Sequence, residues 1–281
     1  MNARTNPAPR PQLYTPSSLS LYQGCPERYR LAKVDRQRVV EPFSPALSRG
    51  KTIHSVLAEC LEAARDRGVL PSDLANRVQE AHPRQGYADI LAWDADAVAI
   101  TAQVAYGLRH LTAGVRIVDV EVFHRWTFPG DALTPSFILG ARADLILAGV
   151  DAEGQHYLDV IDWKSGAGRG VDLLQEVALR IVTRHAFGSE PDYIINTTIF
   201  VEQERSYAIV RDDATCRGVW RQIKGIVGAI ERDRLFPPRP NARCPYCPYF
   251  GNGCLLDQPQ ATGTDQTATW LEGEEEDVVG A

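Results

Sequence analysis

The sequence contains no apolar run approaching the roughly 20 residues that a membrane-spanning helix requires, which excludes a helical membrane anchor. No hydrophobic signal segment precedes the first structured stretch, so a soluble, cytoplasmic protein with reduced thiols is expected. No internal repeat is present, which excludes a solenoid or propeller. A phosphate-binding loop is also missing. Gly50-Lys51-Thr52 resembles the end of one, but Pro45 stands where the motif needs its first glycine, so the chain is not an ATP-driven motor. Finally, residues 258–281 carry six acids and no lysine or arginine. This end reads as a disordered acidic tail, and it accounts for the whole net charge of −6. The remaining body is neutral and can still present a local basic groove. Arg28, Arg30, Lys33, Arg36, Arg38, Arg49 and Lys51 make the N-terminal region the candidate.

What is present is a globular composition, 44% hydrophobic and 23% charged over 281 residues, enough for one large domain with a full core or for two small ones. Residues 1–14 are short of apolar content and rich in proline, and are expected to be disordered. Residues 15–257 are expected to form a single domain with a helical insertion at 66–116.

Cysteine placement is the most informative pattern. Cys244, Cys247 and Cys254 crowd one segment, and Cys25 lies near the N-terminus in Gly24-Cys25-Pro26. A Cys-x-x-Cys pair with a third nearby thiol suits one metal centre whose fourth ligand comes from elsewhere, and Cys25 is the natural candidate. The chain would then be clamped end to end. In the chain-entropy model written for disulfides, closing a loop of about 220 residues contributes roughly 5 kcal/mol. Cys60 and Cys216 fall in helix-like stretches and read as ordinary buried thiols.

Hydrophobic periodicity predicts helices from Ser17 or Ser18 to about Lys33, from Pro45 to Arg67, over 72–82 and over 94–113. The last carries an apolar stripe of Val98, Ala102, Ala105, Leu108 and Leu111. Strands follow at 117–128, 137–147 and 157–163, separated by turn residues as in an antiparallel meander. A helix over 173–186, strands at 193–202 and 205–210, and a helix over 214–232 complete the order. The whole argues for an α/β (α+β) mixed sheet flanked by helices.

On the strand that ends Asp162-Trp163-Lys164, residues two apart share a face. Asp162 and Lys164 therefore point the same way, and an antiparallel partner can bring Asp144 beside them. Carboxylates converging in an apolar setting call for a cation, and hard oxygen donors suit magnesium or manganese. Asp159 and Asp172 read as plain turn or surface carboxylates.

The set Asp144 followed by Asp162-x-Lys164 resembles the PD-(D/E)XK nuclease superfamily. The segment from Ser17 to Tyr29 resembles the entry of RecB-type and AddB-type nuclease domains. Arg49-Gly50-Lys51-Thr52-Ile53-His54 resembles their histidine-bearing helix. The four-cysteine arrangement is similar to the iron-sulfur clasp of AddB and of the CRISPR-associated RecB-like exonucleases.

The resemblance implies a restriction-endonuclease-like fold with an N-terminal helical region and a C-terminal iron-sulfur clasp. It implies Mg2+ or Mn2+ held by His54, Asp144, Asp162 and the Trp163 carbonyl, with Lys164 steadying the attacking water. It implies a 4Fe-4S cluster on Cys25, Cys244, Cys247 and Cys254. Gln175 falls at the family's glutamine position, with Leu179 where an aromatic is usual; Tyr22 and Arg28 are further candidates for DNA contact. The function implied is a metal-dependent DNA exonuclease acting on single strands or ends in repair, recombination or end processing, with a helicase, recombination or CRISPR protein as partner. The alternatives are a nuclease-like DNA-binding subunit of a repair or spacer-acquisition complex, and a structural protein stapled by zinc.

Overall fold

The computed structural model describes residues 12–39, 44–109, 111, 114–166 and 170–257. The acidic tail and residues 1–11 lie outside them. Strand β1 is Gln12–Tyr14, within a stretch expected to be disordered; three residues are too few to carry a periodic signal, and pairing with another strand defines them. Helix α1 is Pro16–Gly24, closed at its start by a capping box between Thr15 and Ser18. The single helix expected to reach Lys33 is divided at Cys25, because the residue before a proline is driven to extended backbone; Cys25 has φ −161° and ψ 110°. Helix α2, Pro26–Tyr29, and a π-helical turn, Arg30–Val34, follow. Helix α3, Pro45–Arg67, is capped by Ser44 and ended by Gly68 at φ 72°, and α4 is Leu74–Ala81.

Helix α5, Ile90–Leu108, corrects the expected stripe. Trp93, Ala97, Ile100, Val104 and Leu108 face the core, while Val98 and Ala102 are exposed and Ala105 is half-buried. The helix is apolar on both faces, so hydrophobic period alone could not choose between them.

The remaining elements are β2 (Arg116–Phe128), β3 (Phe137–Val150), β4 (His156–Lys164), α6 (Leu173–Phe187), β5 (Tyr193–Phe200), β6 (Arg205–Ile209) and α7 (Asp213–Arg232). Strands β2, β3 and β4 form the expected antiparallel meander, β4 and β5 are parallel, and β5 and β6 are antiparallel, making a mixed six-stranded sheet. One face packs against α1, α6 and α7 through Leu139, Ile146, Val160, Val177, Ile194 and Ile223. The other packs against α3 and α5 through Leu57, Ile100, Leu145, Ile161, Trp163 and Ile199.

The register of β3 prepares the site. Along one side it pairs with β1 at residues 137–139 and with β4 at 145–150, so the stretch between them, ending at Asp144, has no ladder partner there. Gly140 lies in this stretch because there is no room for a side chain: a Cβ would stand 2.4 Å from the Phe123 ring and 2.9 Å from Leu13.

Candidate active site

Asp144, Asp162, Lys164, His54 and Gln175 converge where β4 leaves β3. Asp144, nearly buried, accepts the main-chain N–H of Trp163 at 2.8 Å through Oδ2 and lies 3.6 Å from His54 Nδ1 through Oδ1. Asp162 and Lys164 share one face of β4, as the two-residue period requires. Lys164 Nζ is 2.6 Å from Asp162 Oδ2 and donates to Gln175 Oε1 at 3.0 Å, and Gln175 Nε2 donates to Asp162 Oδ1 at 2.7 Å. Gln175 reaches this triangle from the first turn of α6, which Asp172 caps through the N–H groups of Leu174 and Gln175. Leu179, one turn on, is a core residue.

The electrostatics follow from burial. Removal from water raises the Asp162 carboxyl to about 6; the nearby Lys164 ammonium works against this and the Asp144 charge reinforces it. Burial alone would lower His54, but Asp144 and Glu121 outweigh it and raise the imidazole to about 10. Glu121 is held below the ordinary carboxylate range, chiefly by His54 and then by Arg142.

Helix α3 brings His54 in close to the strand end. Gly50 permits the approach, since a Cβ there would meet Ser165 Oγ at 2.6 Å. The helix is fixed from behind by polar contacts with α4 and α5. Thr52 Oγ1 is 3.2 Å from His82 Nδ1, and His82 Nε2 is 2.6 Å from the Tyr87 hydroxyl and 3.2 Å from Asp96 Oδ2. Asp96 also pairs with Arg49. Burial pulls Asp96 upward, yet Tyr87 and Arg49 hold it below its usual value. Arg49 is thereby committed to Asp96, and Arg30 to Glu27 and Asp35, which corrects the expected basic groove. Among the described residues, Arg28, Lys33, Arg36, Arg38 and Lys51 make no ion pair.

Tyr22 and Arg28 belong to a different part of the molecule. Tyr22 donates its hydroxyl to Asp233 at 2.8 Å and packs edge-on against Tyr29 and Phe236. Arg28 lines a cavity of about 570 Å3 together with Cys25, Cys244, Cys247 and Cys254. None of the six cysteines forms a disulfide. The Arg239 N–H points to Cys25 Sγ at 3.4 Å and the Asn241 N–H to Cys244 Sγ at 3.3 Å.

Two residues escaped the sequence. Glu121 on β2 stands with His54 and Asp144, the three donor atoms lying within 4.8 Å of one another, the arrangement a metal ion needs. Its ladder neighbours Val120 and Val122 pair with Leu145 and Ala143, which sets it across from Asp144; only that register could have revealed it. Asp159, expected at the surface, is half-buried on β4 with Oδ1 enclosed and unpartnered, and desolvation raises its carboxyl to about 6, against the lowering effect of a hydrogen bond with Thr197.

A family model described as the PD-(D/E)XK nuclease superfamily matches residues 14–251. No curated protein matches the chain. Among solved structures, a Eubacterium rectale protein provisionally designated an exonuclease is 13% identical, with 79% of this chain and 80% of that chain covered and a TM-score of 0.48. The protein SSO0001 is 15% identical, with 90% of each chain covered and a TM-score of 0.37. With the family model spanning the sheet, the helices on both its faces and the carboxylate-lysine strand, the chain belongs to the PD-(D/E)XK nuclease superfamily, divalent-metal-dependent phosphodiester hydrolases.

Proposed function

We propose that the protein is a metal-dependent DNA exonuclease that processes single strands or DNA ends, with Asp144, Asp162 and Lys164 as its catalytic residues. The observation that carries this reading is the meeting of Asp162, Lys164 and Gln175 in one hydrogen-bonded triangle beside Asp144 and His54. The donor set fits Mg2+ or Mn2+. Hard carboxylate oxygens dominate, and the donor atoms of Glu121, His54 and Asp144 lie within 4.8 Å of one another. A bound divalent ion would supply Lewis acidity and an activated water. Lys164 offers a fixed positive donor to the oxygens of the scissile phosphate, where negative charge grows in the transition state. Gln175 holds the lysine and Asp162 in mutual register, so neither must reorganise when DNA arrives. Sequence-independent binding would rest on phosphate contacts, with Lys33, Arg36, Arg38 and Lys51 as candidates.

Cys25, Cys244, Cys247 and Cys254 line one cavity of about 570 Å3. Together with the resemblance to AddB-type nucleases, this common lining is what supports an iron-sulfur centre over a zinc staple, and with it a role in repair or recombination beside a helicase. Purification without oxygen, followed by incubation with Mn2+ and DNA labelled at either end, tests the proposal. Stepwise loss of nucleotides from one end is expected; binding without cleavage would favour a DNA-binding subunit instead.

A further inference from the structure

The surface around the cysteine cavity is basic and apolar at once. Between Asp233 and Asp257 the chain carries Arg234, Arg239 and Arg243 and no acid. Arg28 and Arg243 line the cavity together with Phe250 and Leu256. Tyr246 is 87% exposed, Phe250 47% and Leu256 39%, so large apolar side chains are grouped here at the surface instead of scattered. The exposed strip 33–38 abuts the same segment. Gln37 Nε2 donates to the Asn252 carbonyl at 2.8 Å, and the Tyr249 hydroxyl donates to the Gln37 carbonyl at 3.3 Å. That strip carries Lys33, Arg36 and Arg38, and its one acid, Asp35, is committed to Arg30. Among the described residues, Arg28, Lys33, Arg36, Arg38, Arg239 and Arg243 make no ion pair.

The course of the chain supplies an occupant. The last described element is the single turn Leu255–Asp257, and its Leu256 forms part of the cavity wall, so residues 258–281 begin at this surface. Within them, Trp270-Leu271-Glu272-Gly273-Glu274-Glu275-Glu276-Asp277 joins two large apolar side chains to five carboxylates. Trp270 stands 13 residues beyond Asp257, a reach of at most about 45 Å. A segment tethered this close meets the surface at an effective concentration on the order of millimolar. The match is one of both charge and apolar character: carboxylates for the unpaired cations, and an indole for the exposed aromatic and aliphatic side chains.

We propose that residues 270–277 dock on this surface and hold it against DNA until a strand displaces them. Lys33, Arg36 and Arg38 are the cations assigned above to phosphates, so the acidic segment and DNA compete for them. The contact itself stands on the surface and the tail; its regulatory consequence rests on the DNA-processing reading. Inhibition is strongest at low salt, because the screening length falls from about 10 Å at 0.1 M to about 3 Å at 1 M.

The test uses the full chain, purified without oxygen. Trp270 is one of five tryptophans, and the difference in emission between the parent and Trp270→Phe isolates it. At low salt this emission should lie to the blue of that from a synthetic peptide of residues 262–281, because docking takes the ring out of water, and it should return to the peptide's position at about 1 M salt. Arg28→Gln combined with Arg243→Gln should return it as well. Emission that matches the free peptide at low salt overturns the contact, and a blue shift that survives both arginine substitutions overturns this surface as its place. In a second measurement, Glu272→Gln, Glu274→Gln, Glu275→Gln, Glu276→Gln and Asp277→Asn are combined. That chain should bind single-stranded DNA about tenfold or more tightly than the parent at low salt, with the difference closing as salt rises. Equal affinities at low salt overturn the competition. DNA binding by neither chain overturns the DNA-processing reading alone, since the contact is read from Trp270 without DNA.

Discussion

The Asp144 carboxylate accepts the Trp163 main-chain N–H at 2.8 Å, so the group that faces His54 also ties β4 to β3 just beyond the point where their ladder stops. One side chain thus serves the fold and the site. Replacing it separates the two roles. Asp144→Ala leaves a buried N–H without a partner and should cost about 1–3 kcal/mol. Asp144→Asn retains an acceptor and should cost less, yet both variants should fail to cleave DNA. Urea melts of the two variants check the difference, and equal stabilities would show that the bond contributes nothing.

Asp159 makes stability depend on pH. Its folded carboxyl titrates near 6, above the ordinary 3.8, so the protonated form is the one the fold accommodates. Its favourable contribution is fully present below the unfolded value and is lost as pH rises through about 6; beyond that the buried charge penalises the native state. Asp159→Asn should therefore stabilise the protein by about 1–3 kcal/mol at pH 8 and by almost nothing at pH 4. Melting temperatures across that range decide it; a pH-independent difference would mean that the carboxyl is hydrated.

Cys25 is separated from the other three candidate ligands by most of the chain, yet it lines the same cavity. Protein prepared without oxygen should absorb broadly near about 400 nm, as thiolate-bound iron-sulfur centres do. Cys25→Ser should lose that absorbance and melt at a lower temperature, because the long loop is no longer closed. Stoichiometric zinc without iron, in protein made with ample iron, would instead identify a structural staple.

Much of this was legible in the sequence. Asp162 and Lys164 share a face because strands have a period of two, and the meander followed from turn residues between β-rich runs; Gln175 came only through the family resemblance. Glu121 was not legible. Glutamate has no preference for positive φ, so nothing in its identity announces the twist that turns it inward. The exposed face of α5 was misread because the helix is apolar all round. Asp159 was misread because a carboxylate with one buried, unpartnered oxygen contradicts the usual placement of its residue type, and only the packing around β4 reveals it.

The most direct test of the active-site assignment is the degradation of end-labelled DNA in Mn2+ by Asp162→Asn and Lys164→Ala protein, each first verified to fold by a cooperative melt. Loss of activity by about 100-fold or more in both variants, with the visible absorbance unchanged from that of the parent, is the expected result. Degradation of DNA by either folded variant at the parental rate, after contaminating nucleases are excluded, would contradict the assignment.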